Sequence, residues 1–254
     1  QPTYGVITNI GSAHLEGFGS LQAIIDTKNE LYDFINYSKG QLFVNSDDEL
    51  LLSLSEGMLK KTYGESGDIT ASITGITPVI SIKYNNEIIN SHLIGDFQIS
   101  NILLAICIGD YFNISSMNIK KSIENYIPKN NRSQIVKTNK NTLILDAYNA
   151  NPSSMRAMLN SFANQQYKNK LCILGDMLEL GEESIKEHIQ IIKLTNELQL
   201  DCLFVGEIFN SLNQNGFKTR IELAEHINSK NIYDKTILLK GSRGIELEKL
   251  IEFL

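Results

Sequence analysis

Thr142-Leu143-Ile144-Leu145-Asp146-Ala147-Tyr148-Asn149-Ala150-Asn151-Pro152-Ser153-Ser154-Met155-Arg156 is a short apolar run, a polar word and the opening of a helix. Apolar runs of this length with no polar alternation belong to strands buried on both faces, which is the environment of a parallel sheet covered by helices. The same grammar repeats down the chain. Leu171–Leu174, Cys202–Val205 and Ile237–Lys240 read as strands, and Ser153–Phe162, Glu182–Leu198, Ile221–Asn228 and Ile245–Phe253 read as helices. Strand and helix in alternation predict a mostly parallel, doubly wound α/β sheet. Glu182 and Glu183 fall in the first turn of their helix, where the dipole favours negative charge. Ligands of such sheets bind at the carboxyl ends of the strands. The polar words fall there: Asp146-Ala147-Tyr148-Asn149, Gly175-Asp176-Met177 and Lys240-Gly241-Ser242-Arg243.

Upstream the pattern differs. Tyr4–Thr8 and Gln41–Asn45 read as strands and Glu49–Met58 as a short helix. Several short strands follow between about 61 and 94, with turns at Thr77-Pro78 and Asn85-Asn86. Ser20 is placed to cap a helix with Leu21, Ile24, Ile25, Leu31, Tyr32 and Ile35 on one face. Phe97–Phe112 is a nearly all-apolar helix, and a second covers Ser116–Tyr126. The polar, turn-forming Pro128-Lys129-Asn130-Asn131 separates the two grammars, giving domains 1–129 and 130–254.

The chain has 254 residues with 23 Lys and Arg against 29 Asp and Glu, a net charge of −6, and 42% hydrophobic residues. That is a globular composition, too apolar for a disordered chain. The acidic balance excludes nucleic-acid binding through bulk charge, while a local basic pocket stays open. The longest apolar run, near 102–108, is well short of the roughly 18–20 residues of a membrane span. Cys107, Cys172 and Cys202, an odd number set among Ile and Leu, read as buried free thiols in a reducing compartment, the cytoplasm. Gln1–Ile7 carries neither an initiator Met nor a leader and reads as a strand already under way, so the chain is expected to be part of a longer product. Repeats, low-complexity tracts, a G-x-x-x-x-G-K-[ST] phosphate loop, a G-x-G-x-x-G fingerprint, a C-x-x-C pair and an H-E-x-x-H helix are all missing from the 254 residues.

Individual residues carry two readings each. Lys28 lies on the apolar stripe of its helix, either snorkelling its ammonium past the core edge or holding a desolvated amine open to pairing or covalent modification. His14, beside Glu16 at a strand end, is either a surface or capping residue or a metal ligand. His188, with Ile185, Ile189 and Ile192, reads as a satisfied core histidine, and His92 and His226 as exposed. Arg132 either ties the domains together through a carboxylate or reaches a phosphate. Lys240 and Arg243 around a glycine suit an anion. Asp146 is either a ribose acceptor or an ordinary helix cap.

Taken together, Ile7–Ser20, Asp146–Arg156, Leu174–Ser184 and Leu239–Arg243 resemble, in order, the signature stretches of the Mur ligase family. The words His14-Leu15-Glu16-Gly17-Phe18-Gly19-Ser20 and Leu174–Gly181 are most similar to the branch that joins D-alanyl-D-alanine to UDP-N-acetylmuramoyl-tripeptide. The resemblance implies the remainder of a central ATP-binding domain followed by a Rossmann-like C-terminal domain. It implies a cytoplasmic, monomeric, ATP-dependent amide ligase of peptidoglycan precursor synthesis that works through an acyl phosphate, with ATP and Mg2+. Another Mur-type or folylpolyglutamate-type ligase, or a non-catalytic nucleotide- or precursor-binding module, is the alternative.

By the same resemblance His14 holds magnesium, and Lys28, fourteen residues on, is carbamylated and joins it. Arg132 reaches ATP phosphate, Asp146 holds the ribose, Tyr148 and Asn149 lie along the nucleotide, and Asn101 sits near the adenine. Asp176, Lys240, Ser242 and Arg243 face the peptide tail or the incoming dipeptide. Where many members read G-R-H-N, this chain has Gly95-Asp96-Phe97-Gln98. The family's phosphate loop and UDP-sugar domain would precede Gln1, so these 254 residues alone are expected to be inactive.

Overall fold

The structure, a computed structural model, describes residues 1–11, 15–213 and 216–254, with Leu15 and Glu16 described by their backbone alone. It divides into two compact units, Gln1–Ile127 and Pro128–Leu254. The division falls two residues before the boundary read from the linker.

In the first unit β1 (Tyr4–Val6), β2 (Gln41–Asn45) and β3 (Lys60–Tyr63) form a parallel sheet in that order. A helical turn α1 (Leu15–Phe18) and the long α2 (Leu21–Tyr37) connect β1 to β2, and α3 (Glu49–Leu54) connects β2 to β3. The side chain of Ser20 accepts the Ala23 N–H at 3.1 Å, the cap its position calls for. Strand β2 is buried on both faces because its side chains alternate. Leu42 and Val44 join Ile7, Tyr32, Ile35 and Leu51 in one core, while Phe43 joins Tyr63, Ile102 and Ile106 in another. The antiparallel meander β4 (Ser72–Gly75), β5 (Ser81–Tyr84) and β6 (Glu87–Asn90) follows, then α4 (Ile99–Tyr111) and α5 (Ser116–Asn125). Tyr84 and Lys61 both converge on Asp110 of α4, at 3.0 and 2.6 Å.

The second unit carries β7 (Gln134–Lys137), β8 (Thr142–Asp146), α6 (Pro152–Asn164), β9 (Lys170–Gly175), α7 (Ser184–Glu197), β10 (Cys202–Val205), α8 (Glu207–Leu212), β11 (Gly216–Phe217), α9 (Arg220–Lys230) and β12 (Thr236–Lys240). Among the described residues its sheet has the order β11-β10-β9-β12-β8-β7, parallel except for β7. Leu143, Leu145, Ile173, Val205, Ile237 and Leu239 pack on one face with Leu223 and Ile227 of α9 and with Leu247, Leu250 and Leu254. The last strand to form in sequence, β12, lies between β8 and β9. Its tip, Lys240, is therefore brought directly opposite Asp146 in the sheet register.

Several sequence expectations need correction. Residues 245–253 do not form one α-helix. Glu246 takes a left-handed backbone, φ 56°, which splits the segment into 3₁₀ turns at Arg243–Ile245 and Leu247–Leu250. Leu21 and Ile185 are half exposed, so the buried stripe of α2 runs through Ile24, Tyr32 and Ile35, and that of α7 through His188, Ile191 and Thr195. Cys107 and Cys172 are buried, whereas Cys202 is only half-buried; all three are free thiols. His226 is half-buried, its ring 4.9 Å from that of Phe217. No helix among the described residues is long and apolar enough to cross a membrane.

Candidate functional site

The three polar words of the second unit stand at the tips of β8, β9 and β12, and the structure assigns them different tasks. Lys240 is 1% exposed, and its Nζ donates to Asp146 Oδ2 at 2.5 Å. Asp146 Oδ1 accepts the Ser133 N–H at 3.2 Å. A buried ammonium is tolerated only when paired, so Lys240 fixes the carboxylate, and the carboxylate in turn fixes residues 131–133. A second tie, from Ala147 N–H to the Asn131 carbonyl at 2.9 Å, runs alongside. Asn130, Asn131 and Ser133 all have positive φ, at 60°, 58° and 48°. Asn is the residue that tolerates this best after glycine, and Ser133 is held by the carboxylate. Lys240 is thus a buried, paired cation, and the partly exposed Asp146 links it to the 131–133 stretch.

Asp176 and Ser242 are likewise buried and hydrogen-bonded within the unit. Asp176 is 2% exposed, and its two oxygens accept the Ile208 and Phe209 N–H groups, each at 2.9 Å. It caps α8 across the sheet. Gly206, φ 127°, leads into that cap, and a Cβ there would lie 2.2 Å from the Asp176 carboxyl carbon. Ser242 Oγ accepts the Leu178 N–H at 2.9 Å, and Ser242 N–H donates to the Asp176 carbonyl at 3.0 Å. These bonds lace the β9 and β12 tips together and leave neither side chain facing outward. Beside them His188 is fully buried: its Nε2 accepts the Met177 N–H at 3.0 Å and its Nδ1–H donates to the Ser184 carbonyl at 2.7 Å. Those partners fix the neutral tautomer. Burial holds its pKa below the ordinary 6.5 against the opposing pull of Ser184 and Asp176.

What remains open at the tips is basic and aromatic. Arg132, Tyr148, Asn149 and Arg243 are exposed. The Arg132 guanidinium carbon lies 3.9 Å from the Tyr148 ring centroid and that of Arg243 lies 5.7 Å from it. Stacking occupies the face of a guanidinium and leaves its N–H edges free, so two cations are held in place without being neutralised. Asn149 Oδ1 accepts the Ala150 N–H at 2.9 Å. Asn151, at the start of α6, accepts the Ser154 N–H at 2.9 Å while Ser154 Oγ accepts the Asn151 N–H, a capping box followed by Pro152. A cavity of about 340 Å³ opens here, lined by Asn130, Asn131, Ala147, Tyr148, Arg243 and Glu248. Glu248 was not among the residues singled out in the sequence. A carboxylate between two core leucines, one turn after the Lys240–Arg243 word, was the available signal.

In the first unit Lys28 is half-buried, and its Nζ donates to the Asn9 carbonyl at 2.9 Å in the loop after β1. The ammonium has escaped the apolar stripe rather than sitting within it. His14 lies outside the described residues. Asn101 is exposed on the first turn of α4 and donates to Gln98 Oε1 at 2.6 Å. Ahead of it Gly95 holds φ 93°, and the Phe97 ring stands where a Cβ would be, at 2.3 Å, so the departure at 95–98 is built around that ring. A larger cavity, about 640 Å³, is lined by Lys61, Asp68, Tyr84 and Asp110 among others. Lys61 and Tyr84 both donate to the Asp110 carboxylate there. The hydrogen bond from Lys61 holds the Asp110 carboxyl below its usual range. Among the described residues no group of three or more His, Cys, Asp or Glu could hold a metal ion. An ammonium at Lys28 is a donor and not a ligand. The described residues therefore do not make up the implied magnesium site by themselves, and no chemical step is derived through it.

Two exposed guanidiniums beside Tyr148 thus stand at the strand tips of a doubly wound domain, the end at which ligands of such sheets bind. Family comparison defines the class: residues 1–109 match the Mur ligase middle domain and residues 131–243 match the Mur ligase, glutamate ligase domain. The chain belongs to the Mur ligase family. It is 27% identical, over its whole length, to the UDP-N-acetylmuramoyl-tripeptide–D-alanyl-D-alanine ligase of Bacillus subtilis and 28% identical to that of Rickettsia prowazekii, covering 59% and 61% of those proteins. Among solved structures it is similar to MurF from Acinetobacter baumannii, with a TM-score of 0.84, 26% identity, and coverage of 99% of this chain and 59% of that one. The folylpolyglutamate synthase of Thermotoga maritima, at 12% identity and a TM-score of 0.69, shares the fold, with 99% of this chain and 61% of that one covered. The chain spans about three fifths of the length of the Bacillus and Rickettsia relatives.

Proposed function

We propose that the protein containing this chain is an ATP-dependent ligase that joins D-alanyl-D-alanine to UDP-N-acetylmuramoyl-tripeptide in the cytoplasm. The single observation that carries this is the run of ordered signature words at the strand tips, in a chain whose full-length relatives bear that name. ATP phosphorylates the terminal carboxylate of the tripeptide, the dipeptide amine attacks the acyl phosphate, and phosphate leaves. Two anions must approach for the first step, so fixed cations are the main requirement. Arg132 and Arg243, pre-oriented on Tyr148, supply them without the entropy of ordering two long side chains on binding. Tyr148 and Asn149 lie along the nucleotide and Asn101 near the base.

A magnesium ion, when bound, neutralises phosphate charge. His14 and a carbamylated Lys28 are its proposed holders, and a carbon dioxide adduct on the peptide containing Lys28 is the mass-spectrometric signature. The activity test incubates the protein with ATP, UDP-N-acetylmuramoyl-tripeptide and D-alanyl-D-alanine. The expected products are ADP, phosphate and the pentapeptide, all requiring the dipeptide. Turnover with glutamate or a single amino acid in its place would reassign the enzyme to another branch, and nucleotide binding without ligation would make it a binding module.

A further inference from the structure

Cys172 and Cys202 are partners in the β9–β10 register, and the Cys172 N–H donates to the Asp201 carbonyl at 2.8 Å, which fixes that pairing. Adjacent strands run about 4.7–4.9 Å apart, inside the Cα separation of about 4.4–6.8 Å that a disulfide spans. The flanking Leu171, Ile173 and Leu203 pack on the α9 face of the sheet, so alternation puts both sulfurs on the opposite face. There the two thiols are close enough to share a hydrogen bond. They are not equally open: Cys172 is fully buried, whereas Cys202 is half-buried at the first position of its strand. Cys107 lies in the core of the first unit, its thiol pushed up to about 11 by burial. A thiol attacks a disulfide as its thiolate and only where an oxidant can reach it, so Cys202 is the attacking group and Cys172 the resolving one. The Cys172 thiol stands well above its usual range, first because of its hydrogen bond with Cys202 and second because of burial. Oxidising Cys202 removes the first cause, and holding the two sulfurs side by side makes the closing step intramolecular.

We infer that Cys172 and Cys202 form a dithiol that a small-molecule disulfide converts to an intrachain disulfide across β9 and β10. The Cys202 thiolate displaces one thiolate from the reagent, giving a mixed disulfide. The Cys172 thiolate then displaces the second and closes the Cys172–Cys202 bond. Two electrons pass to the reagent, which ends as two thiols carrying the two protons that left the protein. The test incubates the whole folded chain with glutathione disulfide, quenches in acid, and alkylates the remaining thiols in denaturant before mass spectrometry. One alkyl label instead of three, on Cys107, and a linked Cys172–Cys202 peptide in the unreduced digest are the expected result. Cys172→Ser should stop at one glutathionyl group on Cys202, and Cys202→Ser should leave Cys107 and Cys172 both free. The unsubstituted chain decides the linkage by itself, and the variants decide the order of attack. Three labels on the unsubstituted chain, a glutathionyl adduct that persists on it, or a linkage involving Cys107 overturns the inference. A glutathionyl group on Cys172 in Cys202→Ser overturns the assignment of Cys202 as the attacking thiol.

Discussion

Lys240 is the residue on which the candidate site is most dependent. With Lys240 1% exposed and its ammonium bonded to the Asp146 carboxylate, removing one member strands the other in a desolvated setting. Lys240→Met should lower unfolding stability by about 3 kcal/mol in urea, and adding Asp146→Asn, which keeps an acceptor for Ser133 N–H, should restore part of the loss. Additive losses in the double variant would mean the pair is not coupled. His188 gives a pH dependence of defined sign. Its folded pKa lies below 6.5, so the stability it contributes is present above 6.5 and is lost as pH falls through the folded value. Denaturant midpoints measured across that range should fall on the acid side, and His188→Gln should flatten the fall. These residues also show the limit of reading a site from sequence. Polar residues at strand tips either meet a ligand or tie loops together, and both uses select the same residue types. Arg132, Tyr148 and Arg243 stayed open, whereas Asp176, Lys240 and Ser242 turned inward, and only the register of β12 between β8 and β9 decides which.

Among elements, α8 is the one most dependent on a distant residue. It has six residues, too few to be stable alone, and its N–H groups at Ile208 and Phe209 are capped by Asp176, just past the end of β9. Asp176→Asn exchanges one acceptor for a donor that faces an N–H, and Gly206→Ala places a Cβ against that carboxylate. Each should cost about 2 kcal/mol in denaturant titrations, and a neutral Asp176→Asn would remove the capping argument. This helix and β11 were not legible in the sequence because each is shorter than the window over which periodicity can be seen. Strand β7 escaped for another reason: Gln134 to Lys137 alternates weakly at an antiparallel edge and carries no apolar run. The long apolar strands β8, β9 and β12, and the capped α2, were legible because burial and capping there are dictated by local residues.

For the molecule as a whole, each unit carries its own core, and the polar, left-handed stretch at Asn130, Asn131 and Ser133 is built into the site as well as marking the start of the second unit. That stretch was visible as a linker; that it also lines a cavity was not, because the lining depends on how β8 and β12 pair. On the proposed function, the tips of β8 and β12 form a nucleotide site. The most direct measurement is an ADP titration of the isotopically labelled chain followed by amide NMR. Saturable shifts centred on Asn131, Arg132, Tyr148, Asn149 and Arg243 are the expected result. Shifts confined to the cavity around Lys61, Tyr84 and Asp110, or no shifts at millimolar ADP, would contradict it.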